Sequence, residues 1–244
     1  VRGIESSGML CSAKELGIAE DASGLLILPA DAPVGQGIRQ YLDLDDRLLT
    51  LKLTPNRADC LSLTGIAREV SALTGTPATY VKLADVLVTG TATREIKLDA
   101  PQACPLYCGR IVSGVNAKAP TPEWMKRRIE RSGVRAISAL VDITNYVMLE
   151  LGQPLHAFDN AKLSGAIHAR MAKPGEKLLL LNEQTIPVDA DVLMIADEQK
   201  PLAMAGIMGG EESGITLETT DLFLESAFFA PTAIAGRARR YGFG

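Results

Sequence analysis

The pattern of apolar and polar positions predicts a clear helix in the first third of the chain. This helix follows Asp59, which suits an N-cap, and it ends at Gly75, which suits the left-handed position after a helix. Its apolar face recurs at helical spacing and is formed by Leu63, Ile66, Ala67, Val70 and Leu73.

Start and stop signals predict three further helices. One begins at residues 121–123, where a threonine N-cap, a proline at the first helical position and an acid in the first turn follow each other, and it stops at Gly133. The others cover residues 138–151, ended by the Gly-Gln-Pro of 152–154, and residues 231–240.

Short apolar runs bounded by turn residues predict strands, and 22 glycines with 13 prolines make short strands and turns common. The predicted strands cover 24–29, 48–53, 166–171, 177–181, 192–196 and 222–228. Because strands and helices are mixed without strict alternation, we predict an α+β fold class, a multi-domain fragment with mixed, largely antiparallel sheets and packed helices.

Composition narrows the class of protein. The 244 residues are 47% apolar, 22% charged and 5% aromatic, which excludes a disordered tail, a collagen and a coiled coil. No apolar run approaches the ~18 residues of a membrane span, and residues 1–6 lack the pattern of a signal peptide, so we expect a cytoplasmic protein. Four cysteines are too few for a disulfide scaffold, so we expect reduced thiols. Cys104 and Cys108 have no second Cys/His pair nearby, so we expect no structural metal.

Charge is distributed unevenly around a net value of −4. Residues 118–135 carry six basic side chains against two acidic ones, and three arginines lie within 237–240. Two interpretations stay open, a solvated helix face or a surface that binds RNA. If the surface binds RNA, the candidate residues are Arg127, Arg128 and Arg131.

Two histidines are candidates for chemistry, since common enzyme motifs such as the P-loop, G-x-G-x-x-G, H-E-x-x-H and G-x-S-x-G are absent. Alternation places His168 on the outward side of a strand. His156 follows a helix end in a rigid turn, where it either faces a pocket or caps the turn by hydrogen bonding.

A carboxylate stands on an apolar strand face near the end of the chain. Alternation puts Glu225 on the same side as Phe223, Ala227 and Phe229. Burying a carboxylate is costly without a partner, so Glu225 belongs to an ion pair, guards a sheet edge or lines a ligand site. The glycine-rich run at 201–210 either lets the backbone approach a ligand or forms a tight connection.

Five motifs in order resemble the family of bacterial phenylalanyl-tRNA synthetase beta subunits. They are LTPNRADC at 53–60, GIARE at 65–69, VDITNYV at 141–147, GQPLHAFD at 152–159 and AGIMGG at 205–210. The resemblance covers essentially the whole chain and is more specific than any single short pattern.

The resemblance implies three segments. Residues 1–41 would be the end of an OB-like tRNA-binding module, 42–81 a structural B1-like segment, and 82–244 a B3/B4-like editing domain. The family continues past the Arg-Arg-Tyr-Gly of 239–242 into a T-D-A/S segment that also contributes to the editing pocket. We therefore expect the domain in this chain to be truncated at its C-terminus.

The same resemblance implies an editing pocket that hydrolyses tyrosine wrongly attached to the phenylalanine tRNA. The positions that match the family's pocket are Arg135, Thr144, Asn145, His156, Gly209 and Glu225. A positioned water is the expected nucleophile, with His156 orienting it, deprotonating it or binding the tRNA end. Thr144 and Asn145 would supply neutral donors, and Arg135 would contact a phosphate or the terminal ribose.

Two of these positions would recognise the aminoacyl group. Amides around Gly209 would meet the oxyanion or the amino acid, and Glu225 would select the tyrosine hydroxyl.

The resemblance also implies partners. These are tRNA(Phe) and the alpha subunit of the synthetase in an alpha2beta2 heterotetramer, with ATP and magnesium used by the whole synthetase and no cofactor in this fragment. The fragment alone is not expected to aminoacylate. A non-catalytic scaffold that binds tRNA is the alternative, and a free-standing deacylase is disfavoured because the first 81 residues match non-editing parts of the subunit.

Overall fold

The computed structural model of the chain describes residues 3, 5–18 and 23–243. It divides into two compact units, Val1–Thr50 and Leu51–Gly244. Parts of the predicted tRNA-binding module, residues 1, 2, 4 and 19–22, lie outside the described residues. The helices are α1 Ile38–Tyr41, α2 Leu63–Thr74, α3 Glu123–Arg131, α4 Ala139–Leu151, α5 Pro231–Ile234 and α6 Arg237–Arg240.

Two predicted strands early in the chain are wrong. Residues 24–29 and 48–53 carry no strand, and Ile27 is 81% exposed. An apolar run becomes a strand only when a neighbouring strand satisfies its backbone groups. Neither run finds such a neighbour among the described residues.

The predicted helix after Asp59 exists, but it begins later than predicted. The hydroxyl of Ser62 caps α2 by accepting from the amide of Gly65 at 3.0 Å. Asp59 instead lies in the 3₁₀ turn Ala58–Cys60, with its carboxylate bonded to Arg57. Gly75 ends the helix in the left-handed conformation with a φ of 71°, as predicted.

The prediction for α3 is correct in its extent and wrong in its cap. Pro122 occupies the N-cap position, one residue later than predicted, and the Thr121 hydroxyl donates to the carboxylate of Asp142. That carboxylate is 1% exposed and also accepts from the amide of Ile137 at 2.8 Å. Asp142 therefore joins the starts of α3 and α4.

The helix ends show how glycine sets boundaries. Helix α4 begins after Ser138 and ends at Gly152, as predicted. The helix predicted over 231–240 is wrong as one element, because Ala235, with a ψ of 130°, leaves the helical conformation and Gly236 takes a φ of 78° between α5 and α6. The break lets Arg240 reach Asp191, with nitrogen–oxygen distances of 2.6 and 2.9 Å.

Ten strands form three sheets in the part of the chain that the structure describes. The strands are β1 Ile96–Leu98, β2 Leu106–Ser113, β3 His156–Asp159, β4 Ile167–Met171, β5 Lys177–Leu179, β6 Thr185–Pro187, β7 Leu193–Ala196, β8 Pro201–Met204, β9 Met208–Gly209 and β10 Asp221–Phe228. The sheet orders are β1-β4-β7-β8-β9, β2-β10-β3 and β5-β6. Every pair is antiparallel except β1 with β4, which confirms the α+β class with largely antiparallel sheets.

The core lies on both faces of the five-stranded sheet. On one face Ile195 and Ile167 pack against Phe158 and Phe223 of the three-stranded sheet. On the other face Met194 joins the cluster that contains Leu178 of β5. Residues 192–196 are apolar without interruption because both sides of β7 are buried.

Candidate active site

Two predicted site residues lie side by side across the three-stranded sheet. In the register of its antiparallel pairs, Glu225 on β10 faces His156 on β3 and Gly109 on β2. Residues directly opposite each other in a sheet point to the same face. That face is the one that packs toward the five-stranded sheet, since it also carries Phe158 and Phe223.

Glu225 is a buried carboxyl group with a phenol as its partner. Its side chain belongs to a residue that is 8% exposed, and Oε2 accepts a hydrogen bond of 2.5 Å from the hydroxyl of Tyr107. Burial raises the pKa of Glu225 to about 7, against the lowering effect of that hydrogen bond.

The other interpretations of Glu225 do not fit this geometry. It forms no ion pair with any residue that the structure describes. It does not guard a sheet edge either, because β10 is the central strand of its sheet. The carboxyl is therefore a polar group held inside an apolar face by one hydrogen bond.

His156 is the second polar group of the site. The sequence predicts it in the turn after α4, whereas the structure makes it the first residue of β3. Its Nε2 is buried and has no hydrogen-bond partner among the described residues, which does not support a turn-capping role. Burial lowers the pKa of His156 to about 4, so the imidazole is neutral at pH 7.

Gly209 makes room for the imidazole. A Cβ atom at this position would lie 2.7 Å from Cε1 and 3.3 Å from Nε2 of His156. Within the run at 201–210, β8 and β9 pair as an antiparallel hairpin. Gly209 lets the backbone of this hairpin approach the side chain of His156 closely. The carbonyl of Gly209 accepts from the amide of Leu181 at 3.2 Å.

A cavity of about 260 Å³ joins these groups. It opens between the two larger sheets and contains Glu225, His156 and Gly209. Its other walls are formed by Pro154, Leu155, Ile195, Ala203, Met204, Ala205, Gly206, Ile207, Met208, Ala227 and Phe229. Since about 150 Å³ suffices for benzene in an apolar cavity, this space admits a tyrosyl ring.

Three predicted site residues lie outside this lining. Arg135 is exposed in the loop between α3 and α4. Thr144 and Asn145 are half-buried on α4, and the Thr144 hydroxyl donates to the carbonyl of Val141 at 2.7 Å. The structure thus brings together Glu225, His156 and Gly209 and leaves the other three beyond the cavity wall.

The predicted tRNA-binding arginines follow the outer side of α3. Arg128 is exposed, and Arg127 and Arg131 are half-buried, while Met125 and Ile129 form the buried side of the helix. Arg128 donates to the hydroxyl of Tyr146 at 2.8 Å and lies 5.4 Å from the centre of the Trp124 ring. The ring of Trp124, 51% exposed, meets that of Tyr146 edge-on.

Tyr107 is a site residue that the sequence does not predict. It is buried on β2, and burial together with the charge of Glu225 raises its pKa well above the ordinary value. The only local signal is alternation within residues 106–109, which places Tyr107 on the buried side of a strand. Its partner lies 118 positions away, beyond the reach of any local pattern.

Other sequence expectations concern metals, membranes and His168. In the described ranges, no three His, Cys, Asp or Glu side chains are grouped to hold a metal ion. No helix within those ranges has the length and apolar character needed to cross a bilayer. His168 is half-buried on β4, and its Nδ1 lies 2.7 Å from a carboxylate oxygen of Asp99.

Comparison with known proteins gives a consistent set of similarities. A family model described as "B3/4 domain" matches residues 103–244. Over its whole length the chain is 80% identical to the phenylalanine–tRNA ligase beta subunit of Dechloromonas aromatica and 68% identical to that of Aromatoleum aromaticum, and it spans 31% of the length of each.

A solved structure is also similar, at a lower level. It is an N-terminal fragment of the phenylalanyl-tRNA synthetase beta subunit from Pyrococcus horikoshii, with a TM-score of 0.46 and 16% identity. The alignment covers 73% of this chain and 55% of that chain.

Proposed function

The chain belongs to the B3/4 domain family, and from this we propose that its cavity hydrolyses tyrosine wrongly esterified to the phenylalanine tRNA. The observation that carries the proposal is the buried carboxyl of Glu225, which lines the cavity and accepts a hydrogen bond from a phenol. A tyrosine substrate offers the same donor, whereas phenylalanine offers none. The cavity is also large enough for the aromatic ring.

The need for such a site follows from the physics of selectivity. An apolar pocket that binds phenylalanine rejects a ring with one extra hydroxyl by only about 10²-fold. A second pocket that requires the hydroxyl solves this problem. Phenylalanine would leave the Glu225 carboxyl without its second donor, at a cost of about 1–3 kcal/mol or more if the group is charged.

The hydrolysis uses a water molecule as nucleophile. The water oxygen bonds to the ester carbonyl carbon, the bond from that carbon to the ribose oxygen breaks, and the proton lost by water ends on the ribose oxygen. His156 orients this water and does not deprotonate it, since a neutral imidazole with a pKa of about 4 is a weak base at pH 7. Donors near Gly209 stabilise the oxyanion.

The residues outside the cavity wall would act on the tRNA end. Arg135 is exposed and would contact a phosphate or the terminal ribose. Thr144 and Asn145 lie on α4, the helix that leads into β3 and His156, and would supply neutral donors beside the entering nucleotide. On α3, Arg127, Arg128 and Arg131 would bind the tRNA backbone.

The wider setting is proposed from the relatives. The chain would act within a synthetase beta subunit, with an alpha subunit, an alpha2beta2 assembly and a cytoplasmic location. ATP and magnesium would serve aminoacylation in the whole enzyme, which this chain alone would not perform. The segments 1–41, 42–81 and 82–244 would serve as tRNA-binding, structural and editing parts.

Substitution of Glu225 tests the proposal. In the full-length synthetase, Glu225→Gln keeps the size and one acceptor oxygen, whereas Glu225→Ala removes the acceptor. We expect a graded loss of Tyr-tRNA(Phe) hydrolysis, greater for alanine, with phenylalanine charging unchanged. Deacylation rates and melting temperatures are measured together.

The control for this test is stability. If Glu225 only holds the sheet together, both variants lose melting temperature and hydrolysis in parallel. A stable Glu225→Ala variant that still hydrolyses Tyr-tRNA(Phe) at the parental rate would exclude Glu225 as the selector.

A further inference from the structure

We propose that Tyr107 is a positioning residue that fixes the Glu225 carboxyl, so that Oε2 is occupied within the protein and Oε1 is left to receive the substrate hydroxyl. This inference rests on the proposed function, because it assigns one oxygen to the protein and the other to the tyrosine of the mischarged tRNA. It concerns a residue that does not touch the reacting atoms.

The sheet register places the two side chains for this contact. Glu225 faces Gly109, and Tyr107 faces Ala227, so Tyr107 and Glu225 are diagonal neighbours on one face of the antiparallel pair of β2 and β10. Diagonal neighbours are within reach of long and aromatic side chains. The resulting distance of 2.5 Å lies at the short end for a hydrogen bond between two oxygens.

One donor for two oxygens makes the carboxyl asymmetric. Within the described residues, the hydrogen bond from Tyr107 is the one that Glu225 accepts, and it goes to Oε2. Glu225 lines the cavity, so its other oxygen remains for a ligand. A bound tyrosine would complete the carboxylate with a second phenol, which phenylalanine lacks.

The hydroxyl of Tyr107 also favours the ionised form of Glu225. A hydrogen bond to a carboxylate stabilises its charge, and here it counters the effect of burial on the pKa. An ionised carboxyl accepts hydrogen bonds at both oxygens, whereas a protonated carboxyl uses one of its oxygens as a donor. Without Tyr107, the group would stay protonated to a higher pH and would be free to turn.

Of the described titratable groups around the cavity carboxyl, only Glu225 itself changes charge near neutral pH. Its titratable neighbours are Tyr107 and Cys104 on the β2 side and His156 on β3. Burial raises the pKa of Cys104 to about 11 and lowers that of His156 to about 4. Tyr107 has a raised pKa and therefore stays a donor throughout this range.

The test compares Tyr107→Phe with Tyr241→Phe in the full-length synthetase. The control also loses one hydroxyl, which accepts from the amide of Asp189 at 2.8 Å, away from the cavity. Hydrolysis of Tyr-tRNA(Phe) and Phe-tRNA(Phe) is measured from pH 5.5 to 8.5, beside melting temperature. At pH 7 we expect Tyr107→Phe to lower the preference for Tyr-tRNA(Phe) over Phe-tRNA(Phe) by roughly 10-fold or more. The midpoint of the pH profile should move upward, and the preference for tyrosine should recover in part at high pH.

Two results would overturn the inference. One is a Tyr107→Phe variant with the parental midpoint and the parental preference for tyrosine. The other is a loss that is equal at every pH and follows the melting temperature, because a merely structural role gives that pattern.

Failure of the proposed function would look different. In that case the parent and Glu225→Ala would release tyrosine at the same rate. The positioning role is then decided on the 244-residue chain by following the titration of the Glu225 carboxyl carbon by ¹³C NMR. A higher midpoint in Tyr107→Phe supports the role, and an unchanged midpoint overturns it.

Discussion

At the scale of single residues, burial shifts the pKa values of two polar groups of the cavity toward their neutral forms. The carboxyl of Glu225 has its pKa raised to about 7 and the imidazole of His156 has its pKa lowered to about 4, each mainly by loss of water. Near pH 7 a small change in surroundings therefore decides whether Glu225 is charged. The imidazole stays uncharged and suits a water-orienting role.

The first prediction at this scale uses two adjacent glycines. Gly209→Ala would place a methyl group against the imidazole of His156, which can turn away, whereas Gly210→Ala would place one 2.5 Å from the backbone oxygen of Leu202. We expect Gly209→Ala to lose most Tyr-tRNA hydrolysis at a nearly unchanged melting temperature. We expect Gly210→Ala to be destabilised by about 1–3 kcal/mol.

The comparison of the two variants is its own control. If Gly209→Ala hydrolyses Tyr-tRNA(Phe) like the parent, the close approach of the glycine to His156 is irrelevant to the reaction. If both variants unfold at the same lowered temperature, the close packing at 209 serves stability alone.

A second prediction concerns the pH dependence of stability. The folded chain keeps the proton of Glu225 up to about pH 7, whereas the unfolded chain releases it near 4.5. Its contribution to stability is thus full below about pH 4.5 and is lost as the pH rises through 7. Relative to Glu225→Gln, the parent should lose about 3 kcal/mol of unfolding free energy between pH 5 and 8.

Urea unfolding at several pH values checks this prediction. His156 titrates in the opposite sense, since its lowered pKa makes stability rise with pH up to about 6.5, but it is present in both proteins and cancels in the difference. A difference that stays constant from pH 5 to 8 would show that Glu225 is ionised throughout.

The residues of the site differ in how far the sequence predicts them. Glu225 stands out because a carboxylate on an apolar strand face needs a partner, and His156 and Gly209 are indicated by motifs shared with a family. Tyr107 is not indicated, since a tyrosine on a buried strand face is common and its partner is set by the pairing of two distant strands. The predicted caps of α2 and α3 are misplaced because Asp59 and Thr121 bond to side chains instead.

At the scale of elements, α3 and α4 form an exposed cluster of aromatic and basic side chains. Trp124 and Arg128 on α3 contact Tyr146 on α4, while the buried side of α3 packs inward through Met125 and Ile129. These contacts hold the guanidinium of Arg128 on the exposed side of α3. An exposed guanidinium held in this way suits the phosphates of an RNA backbone.

A third prediction tests that face. The triple variant Arg127→Gln, Arg128→Gln, Arg131→Gln should bind tRNA(Phe) more weakly and with a flatter dependence on salt, because the slope falls by about one for each phosphate that the protein no longer neutralises. The measurement is affinity against salt concentration in the full-length synthetase.

The matched control removes three exposed lysines elsewhere, with Lys82→Gln, Lys173→Gln and Lys177→Gln. It changes the net charge equally and should keep the parental slope. If the arginine variant also keeps the parental slope, the basic side of α3 is a solvated face.

Elements are predictable where the local signal and the tertiary setting agree. Helix α4 and strands such as β7 and β10 are predicted correctly because periodicity and flanking turns point the same way. Strand β8 is not predicted because its glycine-rich neighbourhood resembles a loop, and the strand predicted at 24–29 fails for want of a neighbouring strand. Pairing between distant segments decides such cases.

At the scale of the whole molecule, the five-stranded and three-stranded sheets pack face to face, and both contribute residues to the lining of the cavity. Phe158 and Phe223 close the core beside it, and truncating either ring to alanine would cost about 3–5 kcal/mol. The pairing of β3 with β10 places Glu225 and His156 directly opposite each other.

The decisive measurement is the release of amino acid from Tyr-tRNA(Phe) and from Phe-tRNA(Phe), by the full-length synthetase without ATP and by the 244-residue chain. A pocket that selects the tyrosine hydroxyl should make the synthetase release tyrosine at least about 10-fold faster than phenylalanine, and Glu225→Ala should remove this difference. Equal release of the two amino acids by the parent synthetase would contradict the proposed selection.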